Sequence, residues 1–317
     1  MSETGAPADC LAKAVPRRWV FVCGAHMDQA LRLDAPARLG VSNPAKVENL
    51  AGGSALNAAG VAAAIGLDLT LLSPIGADAG GAILHETCAA RGIGDRLIEM
   101  PGHATGLYSV LIEPDGNVLI GASDLALYET IDTAWLKTHL RPLMDGGTGL
   151  FLNANLSGAA LEAAVAMADF VAAATISPAK AARLSPVLAG IDLLFANLAE
   201  ARALAGEETA TAEAAAAMLM ERGVGAGAVT HEADPVTGWS EGRIRTTKPP
   251  RVDRIADSNG AGDAFAGGVL AALAGGRGFA AALDTGIAAA GLCLRAEGPY
   301  PDRAALASLM NPTGTRS

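Results

Sequence analysis

Seven residues near the C-terminal end, Asp257-Ser258-Asn259-Gly260-Ala261-Gly262-Asp263, lead directly into a small apolar segment at 264–273. The two glycines and the alanine let the backbone approach a ligand closely, and the N–H groups at a helix start favour negative charge. Asp263 adds a proton acceptor beside that anion site. The pattern indicates phosphoryl transfer to a hydroxyl group; the alternative is an ordinary glycine-rich turn with Asp263 as a helix cap.

A second glycine motif, Gly52-Gly53-Ser54-Ala55-Leu56-Asn57, lies about two hundred residues upstream and opens an alanine-rich helix. Paired glycines let a substrate lie against the backbone. Asn57, one turn into the helix, can donate to and accept from a sugar hydroxyl. Either motif alone is weak, whereas the two together are far more specific.

The two motifs resemble the signatures of the ribokinase-like (PfkB) carbohydrate kinases, Gly-Gly-x-x-x-Asn and Asp-Thr-x-Gly-Ala-Gly-Asp. The resemblance implies an α/β fold with a central, mainly parallel sheet flanked by helices, and a small β-sheet lid. It implies one kinase domain over residues 17–312, with lid segments at about 31–51 and 97–123 and flexible tails at 1–16 and 313–317. The strand–helix alternation along the chain independently favours a parallel sheet.

The resemblance also assigns roles within the C-terminal motif. It implies that Asp263 accepts the proton of the substrate hydroxyl, while the N–H groups of Gly260, Ala261 and Gly262 stabilise charge on the phosphoryl oxygens. ATP and Mg²⁺ are the implied cofactors, with K⁺ as a further candidate beside Asp257.

Composition favours a small-molecule partner. The chain has 317 residues, 51% of them hydrophobic, and a mean hydropathy of +0.32, so it can bury a large core. Its net charge of −10 and scattered Lys and Arg residues disfavour nucleic acid and anionic membranes as partners. The four cysteines lack a Cys-x-x-Cys spacing and predict reduced core thiols. With no signal peptide and no convincing membrane span, we expect a cytoplasmic protein.

Three further residues are candidates for substrate binding. Asp28 follows the first predicted strand, where related kinases place an acid that accepts hydrogen bonds from sugar hydroxyls. Asp124 and Lys180 lie in stretches, at 123–129 and 177–186, that are similar to those of pseudouridine kinases within the family. The plainer alternatives are a loop-capping carboxylate for Asp28, a strand-to-helix cap for Asp124, and a solvated helical lysine for Lys180.

The nucleotide and metal side follows from the same resemblance. Asn197 and Glu200 match the family's Asn-x-x-Glu, in which the carboxylate orients Mg²⁺ through its waters; the alternative for Glu200 is a helix N-terminal acid. Thr230 begins the loop that touches the nucleotide phosphates. Asn259 takes a place where Thr or Gly is common and contributes its backbone. A looser correspondence puts Ala289 near adenine and Asp257 beside a monovalent cation.

The sequence departs from the family pattern after Thr230. Related kinases have Thr-x-Gly-x-x-Gly there, whereas this chain has no glycine until Gly238 and carries Glu232 and Asp234, which would repel phosphate unless they point away. The ATP-side contact is therefore in question. In the first motif, Ser54 and Leu56 stand where pseudouridine kinases usually have Val and Arg.

These observations favour an ATP-dependent kinase that acts on the ribose 5′-hydroxyl of pseudouridine. The alternatives are ribokinase, another nucleoside kinase or a keto-sugar-acid kinase, and, from a different class, a non-catalytic nucleoside- or sugar-binding protein on the same fold. A Rossmann dehydrogenase is disfavoured because residues 24–28 lack Gly-x-Gly-x-x-Gly. The resemblance also implies a homodimer formed through the lid.

Overall fold

The computed structural model describes residues 11–206, 210–296, 298 and 300–310. Within these residues the chain alternates strands and helices and forms two sheets. The strands are β1 Arg18–Val22, β2 His26–Leu33, β3 Ala45–Gly52, β4 Asp68–Ile75, β5 Gly94–Glu99, β6 Leu107–Ile112, β7 Val118–Asp124, β8 Thr148–Asn153, β9 Val171–Ala174, β10 Leu193–Asn197, β11 Ala226–Thr230, β12 Val236–Ser240 and β13 Arg243–Thr247. The α-helices are α1 Ser54–Ile65, α2 Ala79–Arg91, α3 Thr133–His139, α4 Gly158–Val165, α5 Pro178–Ala181, α6 Leu198–Ala205, α7 Ala212–Glu221, α8 Ala261–Ala274, α9 Phe279–Arg295 and α10 Arg303–Ser308.

The large sheet has nine strands in the order β13-β12-β11-β10-β9-β8-β1-β4-β5. The strands from β11 to β5 are parallel, and β12 and β13 are antiparallel additions at one edge. From β1 the chain passes first to β4 on one side and later to β8 on the other. In open α/β sheets such a reversal leaves a crevice at the carboxyl ends of the strands, where ligands bind.

The central strand β1 is apolar on both faces because helices cover both sides of the sheet. Phe21 packs on Phe151, with ring centroids 4.6 Å apart, in the core beneath α1, α8 and α9. Val20 and Val22 point to the opposite core, which α3, α4, α6 and α7 cover. The alternation of strands and helices therefore produces the three-layer arrangement that the sequence predicts.

The small sheet is the lid, with strand order β3-β2-β6-β7. The predicted lid segments need two corrections. The lid begins at His26, so Asp28 lies on a lid strand and not in a loop. Residues 97–99 belong to β5, which pairs with β4 at the edge of the large sheet. A short apolar strand looks the same in either sheet, because its pairing partner and not its own sequence decides where it lies.

The N-terminal boundary also differs from the prediction of a tail over residues 1–16. Residues 1–10 and 313–317 lie outside the described residues, but residues 11–16 are attached to the domain. Leu11 and Val15 pack on the core, and the indole Nε1 of Trp19 donates to the Pro16 carbonyl over 2.8 Å. Lys13 forms an ion pair of 2.8 Å with Asp192. These apolar and charged contacts hold residues 11–16 against the domain.

Among the described residues, no helix combines the length and apolar character that a bilayer-spanning segment needs. Cys23, Cys88 and Cys293 are buried thiols, and Cys10 lies outside the described residues.

Candidate active site

Six of the predicted site residues gather along the carboxyl edge of the large sheet, between the sheet, α1 and α8. A cavity of about 250 Å³ opens there. Its polar and glycine lining comes from Ser54, Thr175, Asn197, Glu200, Thr230, Gly260, Gly262 and Asp263. The fold thus brings the two glycine motifs together, although they are far apart in sequence.

The C-terminal motif begins helix α8 with an open N-terminus. Gly260 is the residue before the helix and has φ of 75°, a left-handed conformation that favours glycine. Among the described residues, no side chain caps this helix start, and a Cβ on Gly262 would meet no atom within 4 Å. In this first turn the Ala261 N–H makes only a long contact of 3.4 Å with the Ser258 carbonyl, so the helix start keeps N–H groups available to an anion.

Asp263 is held by two donors from the first motif. The Ser54 hydroxyl donates to Oδ1 over 2.5 Å, and Asn57 Nδ2 donates to Oδ2 over 2.9 Å. Burial raises the pKa of Asp263 to about 6, while the hydrogen bonds from Ser54 and Asn57 act in the opposite direction. Such a carboxylate is ionised at neutral pH yet basic enough to accept a proton.

The paired glycines allow Asp28 and the first loop to approach closely. A Cβ on Gly52 would lie 1.9 Å from Asp28 Oδ2, and a Cβ on Gly53 would lie 2.6 Å from the Gly24 carbonyl. Gly53 also has φ of 102°. Any larger residue at these two positions would displace the acidic lid strand from the start of α1.

Asp28 belongs to a hydrogen-bonded row on the lid side. His26 Nε2 lies 3.0 Å from Asp28 Oδ1, and His26 Nδ1 lies 2.5 Å from the Tyr128 hydroxyl. The Tyr128 ring covers Gly24, where an added Cβ would overlap it at 1.5 Å. The row presents a carboxylate to the space in front of Gly52, which suits sugar hydroxyls.

Lys180 and Asp124 are not among the described residues that line the cavity. Lys180 lies beyond the end of β9, in the short helix α5, and its Nζ donates to Asn155 Oδ1 over 2.6 Å. Burial raises the pKa of Cys23 to about 11, and the positive charge of Lys180 acts in the opposite direction. Lys180 therefore also lies near Cys23, at the end of β1. Asp124 is exposed at the last position of lid strand β7.

Asn197 and Glu200 form a reciprocal cap at the start of α6. Asn197 Oδ1 accepts from Glu200 N over 2.9 Å, and Glu200 Oε2 accepts from Asn197 N over 2.9 Å. The Thr175 hydroxyl donates to the same oxygen, Oε2, over 2.5 Å. Glu200 is 8% exposed and lines the cavity. Glu200 can therefore cap α6 and also orient Mg²⁺, because Oε2 accepts the hydrogen bonds of the cap and Oε1 is left for metal-bound water.

The loop after Thr230 is a tight turn between β11 and β12. Glu232 has φ of 46°, and Asp234 is paired with His231 Nδ1 at 2.9 Å. Glu232 and Asp234 are exposed, and among the residues described the cavity is lined by Thr230 but by neither acid. Both carboxylates of this turn therefore lie on the solvent side, although the turn contains no glycine.

The remaining predicted residues lie at the margin of the site. The backbone N–H of Asn259 donates to Asp257 Oδ1 over 2.9 Å, so it is engaged within the loop. Ala289 is fully buried between α8 and α9, where it packs against Gly268, and it does not line the cavity. We therefore assign Ala289 no contact with a nucleotide.

The described part of the chain contains no group of three or more His, Cys, Asp or Glu side chains that could hold a metal ion directly. Two of the described carboxylates, Glu200 and Asp263, line the cavity, and Asp263 accepts hydrogen bonds on both of its oxygens. This donor set fits Mg²⁺, which keeps several waters and is bound by one or two carboxylates together with substrate phosphates.

Several residues of the site carry no functional signal in the sequence. Ser54 differs from the Val that is usual in pseudouridine kinases, yet it contacts Asp263. The same holds for four residues whose contacts appear only in the fold, His26, Tyr128, Thr175 and Tyr300. Thr175 precedes Ile176, whose φ of 72° is rare for a β-branched residue and marks a strained turn against the cavity.

The fold and the site are those of a phosphotransferase with an alcohol group as acceptor, with the carboxylate of Asp263 in a polar cavity at the start of α8. Residues 20–304 match the pfkB family of carbohydrate kinases. The chain belongs to this family.

Solved structures support the same assignment. A carbohydrate kinase from Agrobacterium tumefaciens superposes with a TM-score of 0.82 at 30% identity, covering 93% of this chain and 97% of that one. Ribokinase from Arabidopsis thaliana, in complex with ribose and ATP, has a TM-score of 0.75 at 22% identity and covers 94% of this chain and 99% of its own. The predicted ribokinase-like fold is confirmed.

Curated relatives differ in their substrates. Ribokinase from Haemophilus influenzae is 28% identical over 78% of this chain and 82% of its own length. Adenosine kinase from Schizosaccharomyces pombe is 40% identical, but the match spans 24% of each chain. Pseudouridine kinase from Escherichia coli is 28% identical over 38% of this chain and 39% of its own. The relatives therefore establish a sugar or nucleoside kinase without selecting the substrate.

Proposed function

We propose that this protein transfers the γ-phosphoryl group of ATP to the ribose 5′-hydroxyl of pseudouridine. The observation that carries the proposal is the position of Asp263, between the open start of α8 and the polar groups of Asn57 and Asp28. In this arrangement one carboxylate reaches both the phosphate and the sugar sides of the crevice.

The chemistry assigns a separate task to each group. The substrate hydroxyl oxygen forms a bond to the γ-phosphorus, the bond from that phosphorus to the bridging oxygen breaks, and ADP leaves. Asp263 accepts the hydroxyl proton late in this step. The N–H groups of Gly260, Ala261 and Gly262 donate to the phosphoryl oxygens, where charge is spread in the transition state.

On the metal side, Glu200 would hold Mg²⁺ through water, and the ion would neutralise charge on the phosphates. Asn197 and Thr230 border the same cavity and are assigned to the nucleotide. Asp257 is assigned to the margin of a K⁺ site, where its second carboxylate oxygen would serve as a ligand.

On the sugar side, Asp28, Asn57 and the backbone at Gly52 and Gly53 would bind the ribose hydroxyls. Lys180 would supply a cation for a nucleobase carbonyl, and this is what favours a nucleoside over free ribose. Asp124 would border the substrate from the lid.

The test is ADP release with Mg-ATP across pseudouridine, uridine, adenosine, ribose and fructose, with Asp263→Asn as the control. We expect turnover on pseudouridine that the control lacks. Turnover confined to ribose, adenosine or fructose would replace the substrate assignment but keep the kinase.

The second candidate is a nucleoside- or sugar-binding protein that does not turn over ATP. It is motivated by the loop after Thr230, which lacks the family's glycines and carries two carboxylates. Calorimetry distinguishes the two. Tight nucleoside binding with no ADP release on any substrate would favour the binding protein.

A further inference from the structure

Tyr300 reaches the first glycine motif from the segment that follows α9. Its hydroxyl lies 2.6 Å from Asn57 Oδ1 and 2.9 Å from the Ala51 carbonyl. A phenol has one proton to donate. The shorter of the two contacts is to Asn57, the residue that also donates to Asp263.

The hydrogen-bonding chemistry fixes the orientation of the Asn57 amide. The Asp263 carboxylate can only accept, so the amide nitrogen of Asn57 must face it and the amide oxygen must face the other way. The Tyr300 hydroxyl donates to that amide oxygen. In a flipped amide, the oxygen would face the Asp263 carboxylate and the NH₂ group would face the Tyr300 hydroxyl, and both contacts would be unfavourable.

The environment keeps Tyr300 in its donor form and in place. Burial raises the pKa of Tyr300 to about 12, so the phenol remains protonated at neutral pH. The guanidinium of Arg91 stacks on its ring, with Cζ 3.1 Å from the ring centroid. Both features favour a fixed hydroxyl behind Asn57.

We propose that Tyr300 is a positioning residue for the transfer step: its hydroxyl locks the Asn57 amide so that Nδ2 points at Asp263. The inference rests on the proposed role of Asp263 as the base. Without the hydroxyl, only Asp263 orients the amide, so Asn57 Nδ2 donates to Asp263 for less of the time and the ionised carboxylate is less favoured.

The experiment compares wild type with Tyr300→Phe, Asn57→Ala and the double variant, on whichever substrate the panel identifies. We expect Tyr300→Phe to lower kcat roughly 10-fold, as for the loss of one hydrogen bond, and to move the acidic limb of kcat/KM to higher pH. The KM for ATP should not change. In the Asn57→Ala background the Tyr300→Phe change should have no further effect, because Tyr300 acts through Asn57.

The matched control is Ser308→Ala, which removes a hydroxyl hydrogen bond of the same C-terminal region, to the Ala305 carbonyl, and should leave kinetics unchanged. Wild-type kcat and an unmoved acidic limb in Tyr300→Phe would overturn the inference. Equal losses of activity in both backgrounds would also overturn it, since they indicate a general structural effect.

A measurement without substitution covers the case in which Tyr300→Phe weakens the fold. In the wild-type protein, NMR of the Asn57 side-chain amide should show one locked orientation, protected from exchange. A freely rotating amide would contradict the inference. Asp263→Asn distinguishes a failure of the proposed function from a failure of this inference. If Asp263→Asn retains turnover, the proposed function is wrong. If Asp263→Asn loses turnover while Tyr300→Phe is unimpaired, only the role of Tyr300 is wrong.

Discussion

The Ser54 hydroxyl donates to Asp263 Oδ1 over 2.5 Å, joining the start of α1 to the first turn of α8. This bond favours the ionised carboxylate and so opposes the burial that raises its pKa to about 6. We expect Ser54→Ala to raise the pKa of Asp263 further and to move the acidic limb of kcat/KM upward. A pH profile of kcat/KM measures the change, with Ser54→Thr, which keeps a hydroxyl, as the control.

The wild-type pH dependence follows from the same pKa. The base must be ionised to accept a proton, so kcat/KM should be constant above about pH 7 and fall below about pH 6. An acidic limb centred near 4, the ordinary range of an Asp carboxyl, would contradict the assignment of Asp263 as a desolvated base.

Asp263→Asn should lower turnover by orders of magnitude and stabilise the fold at neutral pH. The folded pKa lies above the ordinary value of 3.8, so this group's contribution to stability is full below that value and is lost as pH rises through about 6. The difference between a pKa of 3.8 and one of about 6 corresponds to about 3 kcal/mol, so removing the charge should add about 1–3 kcal/mol to the free energy of unfolding. Denaturant unfolding at pH 7.5 measures it, and the difference should shrink at pH 4.

The pairing of Asp263 with Asn57 could be predicted because each lies in its own recognisable glycine motif. Local sequence features predict a backbone that approaches a ligand closely, and their combination predicts a common site. The family signature could not predict the Ser54 contact, since it fixes no residue at this position and pseudouridine kinases usually have Val there. Nor could it reveal that the hydrogen bond from Ser54 offsets part of the rise in the pKa of Asp263 that burial causes.

Contacts that depend on pairing between distant segments were beyond the sequence. Tyr128 meets His26 only because the lid strands bring their ends together, and Tyr300 meets Asn57 only because the chain returns after α9. Neither tyrosine lies in a periodic or glycine-rich pattern. The lid boundary at residues 97–99 was mispredicted for the same reason.

Glu200→Gln should raise the Mg²⁺ concentration needed for half-maximal rate by roughly 10-fold, because loss of a group that orients metal-bound water weakens metal binding. Thr175→Val should produce a smaller change in the same direction, since it removes only the donor that orients the carboxylate. Steady-state rates against free Mg²⁺ at saturating ATP measure both. An unchanged Mg²⁺ requirement in Glu200→Gln would limit its role to capping α6.

Lys180→Met should separate nucleoside from sugar recognition. A hydrogen bond to a charged group contributes about 1.5–3 kcal/mol, so kcat/KM for pseudouridine should fall roughly 10- to 100-fold. Free ribose has no base carbonyl, and its kcat/KM should change little. Equal losses on both substrates would indicate that Lys180 acts on the fold through Asn155, and Asn155→Ala is the companion variant for that outcome.

The lid provides the basis for the last prediction, a homodimer. Strand β7 is exposed along its whole length at the edge of the small sheet, with Val118 61% and Ile120 63% exposed. An exposed apolar edge strand is a ready pairing surface. We expect sedimentation equilibrium to give about twice the 31.7 kDa chain mass and Ile120→Asp to return the monomer. Met218→Asp on α7, an exposed apolar position outside the lid, should leave the dimer intact. A wild-type protein that sediments as a monomer would contradict pairing through the lid.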